Sequence, residues 1–214
     1  MTTSSKPRSN TSRRHLLAWF ATVAGLTITR SAHADASADS ATAFMTKAVA
    51  ELTSVVNGPG TMPEKAAGLQ AIIERMVDVN SVGRFCLGRF WRTASPDQQK
   101  SYIEQFHRVL VSNITSKVGE YSGVDISIQK TFTREDGIVV SSQVARPNNA
   151  PAKVDWLIST ESGQPLIIDV IAEGTSLRLT QRNDYSAFLS RNNNDVGALI
   201  AALKQQTVET TKAQ

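Results

Sequence analysis

Between residues 40 and 121 apolar side chains recur at three- and four-residue intervals, the spacing of amphipathic helices. Phe44, Met45, Ala48, Val49, Leu52, Val55 and Val56 form one stripe over 40–57, and Gly58-Pro59-Gly60 ends it. Thr61-Met62-Pro63-Glu64 combines a capping box with proline in the first turn, and predicts a helix carrying Leu69, Ile72, Ile73, Met76 and Val77. A short helix is expected over 80–90. Ser95-Pro96-Asp97-Gln98 repeats the capping signature. It opens what reads as the longest helix, reaching about residue 121, with an inner stripe of Ile103, Phe106, Leu110, Ile114, Val118 and Tyr121.

The period then changes to two. Val124, Ile126 and Ile128 alternate with Asp125, Ser127 and Gln129, as in a half-buried strand. Glu135-Asp136-Gly137 turns into a second strand over 138–145. Pro147 to Pro151 forms a loop, Val154, Trp156 and Ile158 alternate in a third strand, and a fourth is expected from 166 to about 179, with Gly174 marking a bulge or bend. Two helices close the pattern, one carrying Tyr185, Phe188 and Leu189, the other Val196, Leu199, Ile200 and Leu203, with Asn192-Asn193-Asn194 between them. Four sequential strands with short connections imply an antiparallel meander. The fold class is α+β: helices covering one face of a curved four-stranded antiparallel sheet. No repeat and no long linker divides the chain, so 35–206 reads as one domain and 207–214 as a polar tail.

The chain has 214 residues, with 23 Lys+Arg against 19 Asp+Glu and a formal charge of +4. Those charges are unevenly placed. Residues 1–34 hold five bases (Lys6, Arg8, Arg13, Arg14, Arg30) and no acid; a mostly apolar run over 16–29 follows the basic start, and Ala32-His33-Ala34 suits a signal peptidase. The apolar run is too short for the ~30 Å hydrocarbon core of a bilayer. Ser12-Arg13-Arg14-His15-Leu16-Leu17 resembles a twin-arginine export signal, an ordinary Sec signal being the alternative. Both lead out of the cytoplasm, with cleavage expected after Ala34. What remains has 18 bases against 19 acids, a net charge of −1, which removes the support for nucleic acid as a partner.

Little catalytic chemistry remains after cleavage. One histidine, His107, and one cysteine, Cys86, are left, which argues against a zinc site of the ordinary kind and against a disulfide framework. His107 sits mid-helix beside the apolar stripe and Cys86 lies between Phe85 and Leu87, positions that suit a half-buried and a buried side chain. No phosphate-binding glycine loop follows a strand. Asp169 and Glu173 would project from one face of an extended strand ~13 Å apart, too far for a glycosidase pair.

Two stretches, Asp78-Val79-Asn80-Ser81-Val82-Gly83-Arg84-Phe85-Cys86-Leu87-Gly88-Arg89-Phe90-Trp91-Arg92 with the helix after it, and Asp169-Val170-Ile171-Ala172-Glu173-Gly174-Thr175-Ser176-Leu177 followed by Arg182, Tyr185 and Phe188, carry a resemblance. In order and pattern, over about 40–205, they resemble the MlaC / toluene-tolerance (Ttg2-type) family of periplasmic lipid carriers that serve a phospholipid ABC transport system; a hopanoid-associated branch looks similar. The resemblance implies an NTF2-like cone, a curved sheet and helices enclosing an apolar pocket. It further implies a monomer, a phospholipid or hopanoid-like lipid as cargo and no other cofactor. The partners it implies are the substrate-binding subunit of an inner-membrane ABC transporter and an outer-membrane lipoprotein complex.

Such a carrier must offset ~0.8 kcal/mol for each CH₂ withdrawn from the bilayer, on the order of 20 kcal/mol for two long chains. The wall is expected from inward strand positions Val139, Val144, Val154, Trp156, Ile158, Val170 and Ala172, and from helix positions Leu87, Phe90, Phe106, Leu110, Ile114 and Phe188. The alternative for each is solid core. Trp91, Arg92, Asp169 and Arg182 are expected to be structural, and Gly174 to permit the bend that opens the sheet. Two other functions fit the same sequence: an exported enzyme with His107 or Asp169 as general base, and an adaptor that binds membrane partners without carrying lipid.

Overall fold

The computed structural model describes residues 30–212, with side chains from 37 to 210. The export signal expected over 1–34, with its arginine pair, lies outside the described residues up to residue 29. In chain order the elements are α1 (Arg30–Asn57), α2 (Met62–Met76), α3 (Val79–Leu87), a 3₁₀ segment (Gly88–Arg92), α4 (Pro96–Thr115), a second 3₁₀ turn (Val118–Tyr121), β1 (Asp125–Arg134), β2 (Gly137–Ala145), β3 (Ala152–Ser159), β4 (Leu166–Ala172), β5 (Thr175–Ser176), α5 (Leu177–Arg191) and α6 (Val196–Lys212). No helix among the described residues is long and apolar enough to cross a membrane.

The local signals act as their chemistry requires. Thr61 Oγ accepts the Glu64 N–H while Glu64 Oε2 accepts the Thr61 N–H at 2.7 Å, and Ser95 and Gln98 exchange the same pair of bonds at 3.2 and 3.0 Å. Each box satisfies two backbone N–H groups that a helix start leaves open. Four boundaries differ from the periodicity. α1 is the longest helix, α4 stops at Thr115, and the turn at Val118–Tyr121 continues its stripe as a separate element. The tail expected from 207 is helical as far as Lys212. The fourth strand does not reach 179, because Glu173 (φ 48°) and Gly174 (φ 81°) both adopt positive φ and make a tight reversal into β5. Gly174 therefore folds the strand back on itself, and the sheet has five strands in the sequential antiparallel order β1-β2-β3-β4-β5.

Two bulges curve that sheet. Gln129 is the extra residue between Ile128 and Lys130 in β1, and Ile168 is the extra residue in β4 opposite the Leu157–Ile158 step. Ala41, Met45 and Ala48 of α1 and Met76 of α2 pack against Ile138, Val140, Ile158 and Ile167 on the concave face. At the other end of the same face Val56 and Leu69 meet Val118, Val124 and Ile126. The helices are not confined to that face. Val82 of α3 packs behind the sheet against Val139, Leu157 and Ile168. A second core lies wholly among α3 to α6, where Tyr102, Phe106 and Tyr185 stand with ring centroids 5.9–6.5 Å apart and the Tyr102 hydroxyl donates to Gly83 O at 2.9 Å.

Candidate functional site: an apolar cleft under the curved sheet

Between the two clusters on the concave face lies a half-enclosed cleft of about 400 Å³. Helix α1 contributes Met45, Ala48, Val49 and Leu52, and α2 contributes Leu69, Ile72, Ile73 and Met76, followed by Val77. The sheet supplies Ile126, Val144, Ala152, Val154, Trp156, Ile167, Val170 and Ala172; Ile114, Tyr121 and Val124 close one end. Among these described residues Arg146 is the only charged side chain. The volume falls within the 300–1,000 Å³ of ordinary ligand pockets, towards the small end.

The alternation of the strands decides which residues reach the cleft. Ile138, Val140, Ser142 and Val144 of β2 are paired with Ile158, Trp156, Val154 and Ala152 of β3 and share the concave face. Trp156, half buried, is held by its indole N–H, which donates to Ser142 Oγ at 2.9 Å; Ser142 in turn donates to Val154 O at 3.1 Å. A ring that would otherwise be free to turn into the cleft is thus pinned along its wall.

Of the residues expected to form the wall, Ile114, Val144, Val154, Trp156, Val170 and Ala172 line the cleft and the other seven do not. Val139 is one position out of phase with Val144 and points behind the sheet to Leu157. Ile158 has the right phase but is fully buried under α1, in solid packing with Ala41 and Met45. Leu87, Phe90, Phe106, Leu110 and Phe188 belong to the core among α3 to α6. Conversely, the stripes on α1 and α2, Tyr121, Val124, Ile126, Arg146, Ala152 and Ile167 line the cleft unanticipated. The available signal was the broad apolar face of the first two helices, which nothing local assigned to a cavity rather than a core.

Neither candidate general base is in the cleft. His107 of α4 faces a separate polar groove with Glu74, Asp78 and Glu104, its Nε2 4.0 Å from Glu74 Oε1. Asp169 is 6% exposed and fully engaged: Oδ1 accepts the N–H groups of Val170 (2.8 Å) and Arg178 (3.1 Å), and Oδ2 accepts the Ser176 hydroxyl (2.6 Å) with Arg178 Nε at 3.4 Å. Ser176 Oγ also accepts the Leu179 N–H and so caps α5. This carboxylate is a joint between β4 and α5. Glu173 is in the reversal itself, where its carboxylate accepts the Lys153 N–H. Burial, reinforced by the Asp169 charge and opposed by Arg178 and Arg182, pushes the Cys86 thiol up to about 12, so it is no nucleophile at neutral pH.

The two sequence stretches that carry the resemblance meet in space. Gly88 ends α3 at φ +60°, and a Cβ there would fall 3.2 Å from Arg182 Nε. The Arg178 and Arg182 guanidinium groups lie 4.4 and 5.0 Å from the ring centre of Phe85. Arg84 covers Trp91 at 5.2 Å, and Gln99 Nε2 donates to Trp91 O.

A family model described as MlaC protein matches residues 44–205. The toluene tolerance protein ttg2D of Pseudomonas putida is 24% identical over 135 residues, which span 62% of this chain and 62% of that relative's length. The phospholipid-binding protein from Ralstonia solanacearum, solved in complex with a phospholipid, superposes with a TM-score of 0.70 at 20% identity, covering 80% of this chain and 98% of the other. That likeness shows a shared fold.

Proposed function

This chain belongs to the MlaC family, and from that premise we propose that it is an exported lipid carrier, which shields phospholipid acyl chains in the cleft between α1, α2 and the concave sheet. The observation that carries this reading is the cleft itself: a curved sheet and two apolar helix faces enclose about 400 Å³ with a single charged side chain among the described wall residues. Aliphatic surface of this kind returns ~0.8 kcal/mol for each CH₂ it removes from water, which is what a lipid leaving a bilayer requires. The phospholipid held by the Ralstonia solanacearum protein of the same fold supports the choice of cargo.

The carrier works in the periplasm, receiving lipid from one membrane-bound complex and delivering it to another of an ABC transport system; the family and the ttg2D relative support this placement. The enzyme alternative loses both its candidate bases to positions outside the cleft. The adaptor alternative predicts no cargo. Native mass spectrometry of protein purified without added lipid is expected to show adducts of phospholipid mass, released by organic extraction; repeated recovery of lipid-free protein that takes up none from vesicles would overturn the reading.

A further inference from the structure

Among the described residues the Arg146 side chain makes no ion pair and no hydrogen bond. It is exposed, yet it lines the mouth of a cleft whose other described walls are uncharged. Beside it stands Tyr121, half buried, whose hydroxyl makes no hydrogen bond to the described chain either. Burial raises the Tyr121 phenol, Glu120 adds to the rise, and the positive charge of Arg146 opposes it, which places the two within electrostatic reach of each other.

This part of the rim is built rather than loose. Asn57, at the end of α1, donates from Nδ2 to Val124 O and accepts the Gly123 N–H at Oδ1, both at 2.8 Å. Gly123, at φ +77°, is packed so closely on Pro147 that a Cβ would fall 2.7 Å from Pro147 Cγ. The segment that carries Tyr121 is therefore tied to α1, one wall of the cleft, and pressed against the segment that carries Arg146. A guanidinium offers paired N–H donors in the geometry that a phosphate accepts, and a phenol hydroxyl adds a third donor.

We infer that Arg146, with the Tyr121 hydroxyl beside it, binds the phosphate of a phospholipid whose acyl chains occupy the cleft, and so sets a preference for phosphate-bearing over uncharged lipids. The inference rests on the lipid-carrier reading and adds to it the residue that recognises the head group.

The test presents phosphatidylglycerol and diacylglycerol of matched chains, in equal amounts from cyclodextrin, to the purified protein and measures each bound lipid by mass spectrometry. The wild type is expected to take phosphatidylglycerol over diacylglycerol by about tenfold or more. Arg146→Ala is expected to bring that ratio close to one, chiefly by lowering phosphatidylglycerol uptake. Arg146→Lys should keep part of the preference, and Tyr121→Phe should lower it by a few-fold. A ratio unchanged in Arg146→Ala overturns the assignment and leaves the carrier reading standing; a wild type that takes neither lipid overturns the carrier reading. Inorganic phosphate added alone is expected to leave the ratio intact. If it abolishes the preference, the site reads free anions and the head-group assignment fails.

Discussion

Trp156 and Ser142 face each other diagonally across the β2–β3 pair, joined by a 2.9 Å hydrogen bond from the indole N–H to the hydroxyl oxygen. The hydroxyl itself donates a hydrogen bond to Val154 O, so one buried serine satisfies two groups at the wall of an apolar cleft. Ser142→Ala leaves the indole N–H without a partner and is expected to cost about 1–3 kcal/mol in urea denaturation. The tryptophan emission should also shift, and Trp156→Phe, which needs no partner, should lose its sensitivity to the Ser142 change. Additive losses in the double variant would show that the bond does not couple the two residues.

Ala172 lines the cleft and is itself half exposed, so a larger side chain there can enter the cavity without displacing a packed core. Ala172→Trp is expected to reduce co-purified lipid by about tenfold while shifting Tm by only a few degrees. Phe106→Ala, in the core among α3 to α6, should do the reverse: lose about 3–5 kcal/mol of stability and retain lipid binding in the folded fraction. Lipid extraction and thermal denaturation on the same two preparations separate these outcomes.

Asp169 ties β4 to the first turn of α5 through Ser176 and Arg178. Asp169→Asn keeps the shape but removes the charge opposite a largely buried guanidinium, and is expected to cost about 2–4 kcal/mol in chemical denaturation. Because the joint lies behind the sheet, lipid bound per folded molecule should not change.

Gly88 is required by its backbone. At φ +60° and ψ −130° a side chain is strained, and its Cβ would also meet Arg182. Gly88→Ala is expected to lower stability by about 1–3 kcal/mol. If the loss came from the Arg182 contact alone, Arg182→Ala would restore it; persistence of most of the loss identifies the backbone as the cause.

Cys86 is buried, and its thiol lies near 12. Native protein at pH 8 is therefore expected to react with iodoacetamide at least about a hundredfold more slowly than urea-unfolded protein. The sign for stability follows from the raised value. Below the unfolded thiol pKa near 8.5 both states hold the proton, and between about 8.5 and 12 the unfolded state loses it first. Stability should be flat up to about pH 8.5 and fall above it, with Cys86→Ala showing a shallower decline in that window. Burial raises Tyr102 and Tyr185 as well, so part of the alkaline loss remains in that variant.

Periodicity and caps located most of the elements, because both are local. Thr61 and Ser95 find their hydrogen-bonding partners three residues away, and a stripe of side chains on one helix face is decided by 3.6 residues per turn wherever the helix is placed. The fourth strand ends earlier than its pattern predicts because a local signal is ambiguous: Leu177 and Leu179 alternate like strand residues, but Glu173 and Gly174 reverse the chain and Ser176 caps a helix that begins at Leu177.

The wall of the cleft was only partly legible. Phe106, Leu110 and Ile114 share one stripe of α4, yet the first two pack among helices and only the third reaches the cleft, because α4 runs out of one core and ends over the other. Nothing within α4 distinguishes them.

By itself the sequence determined the α+β class, the order of helices and antiparallel strands, the scarcity of histidine and cysteine and the near-neutral charge of residues 35–214, all of which follow from residue type and short-range spacing. The tertiary structure alone decided which apolar residues close into solid core and which are left facing space. That choice depends on what stands opposite each side chain: two strand bulges curve the sheet, α1 and α2 span the hollow without filling it, and Arg146 has no ion-pair partner among the described residues.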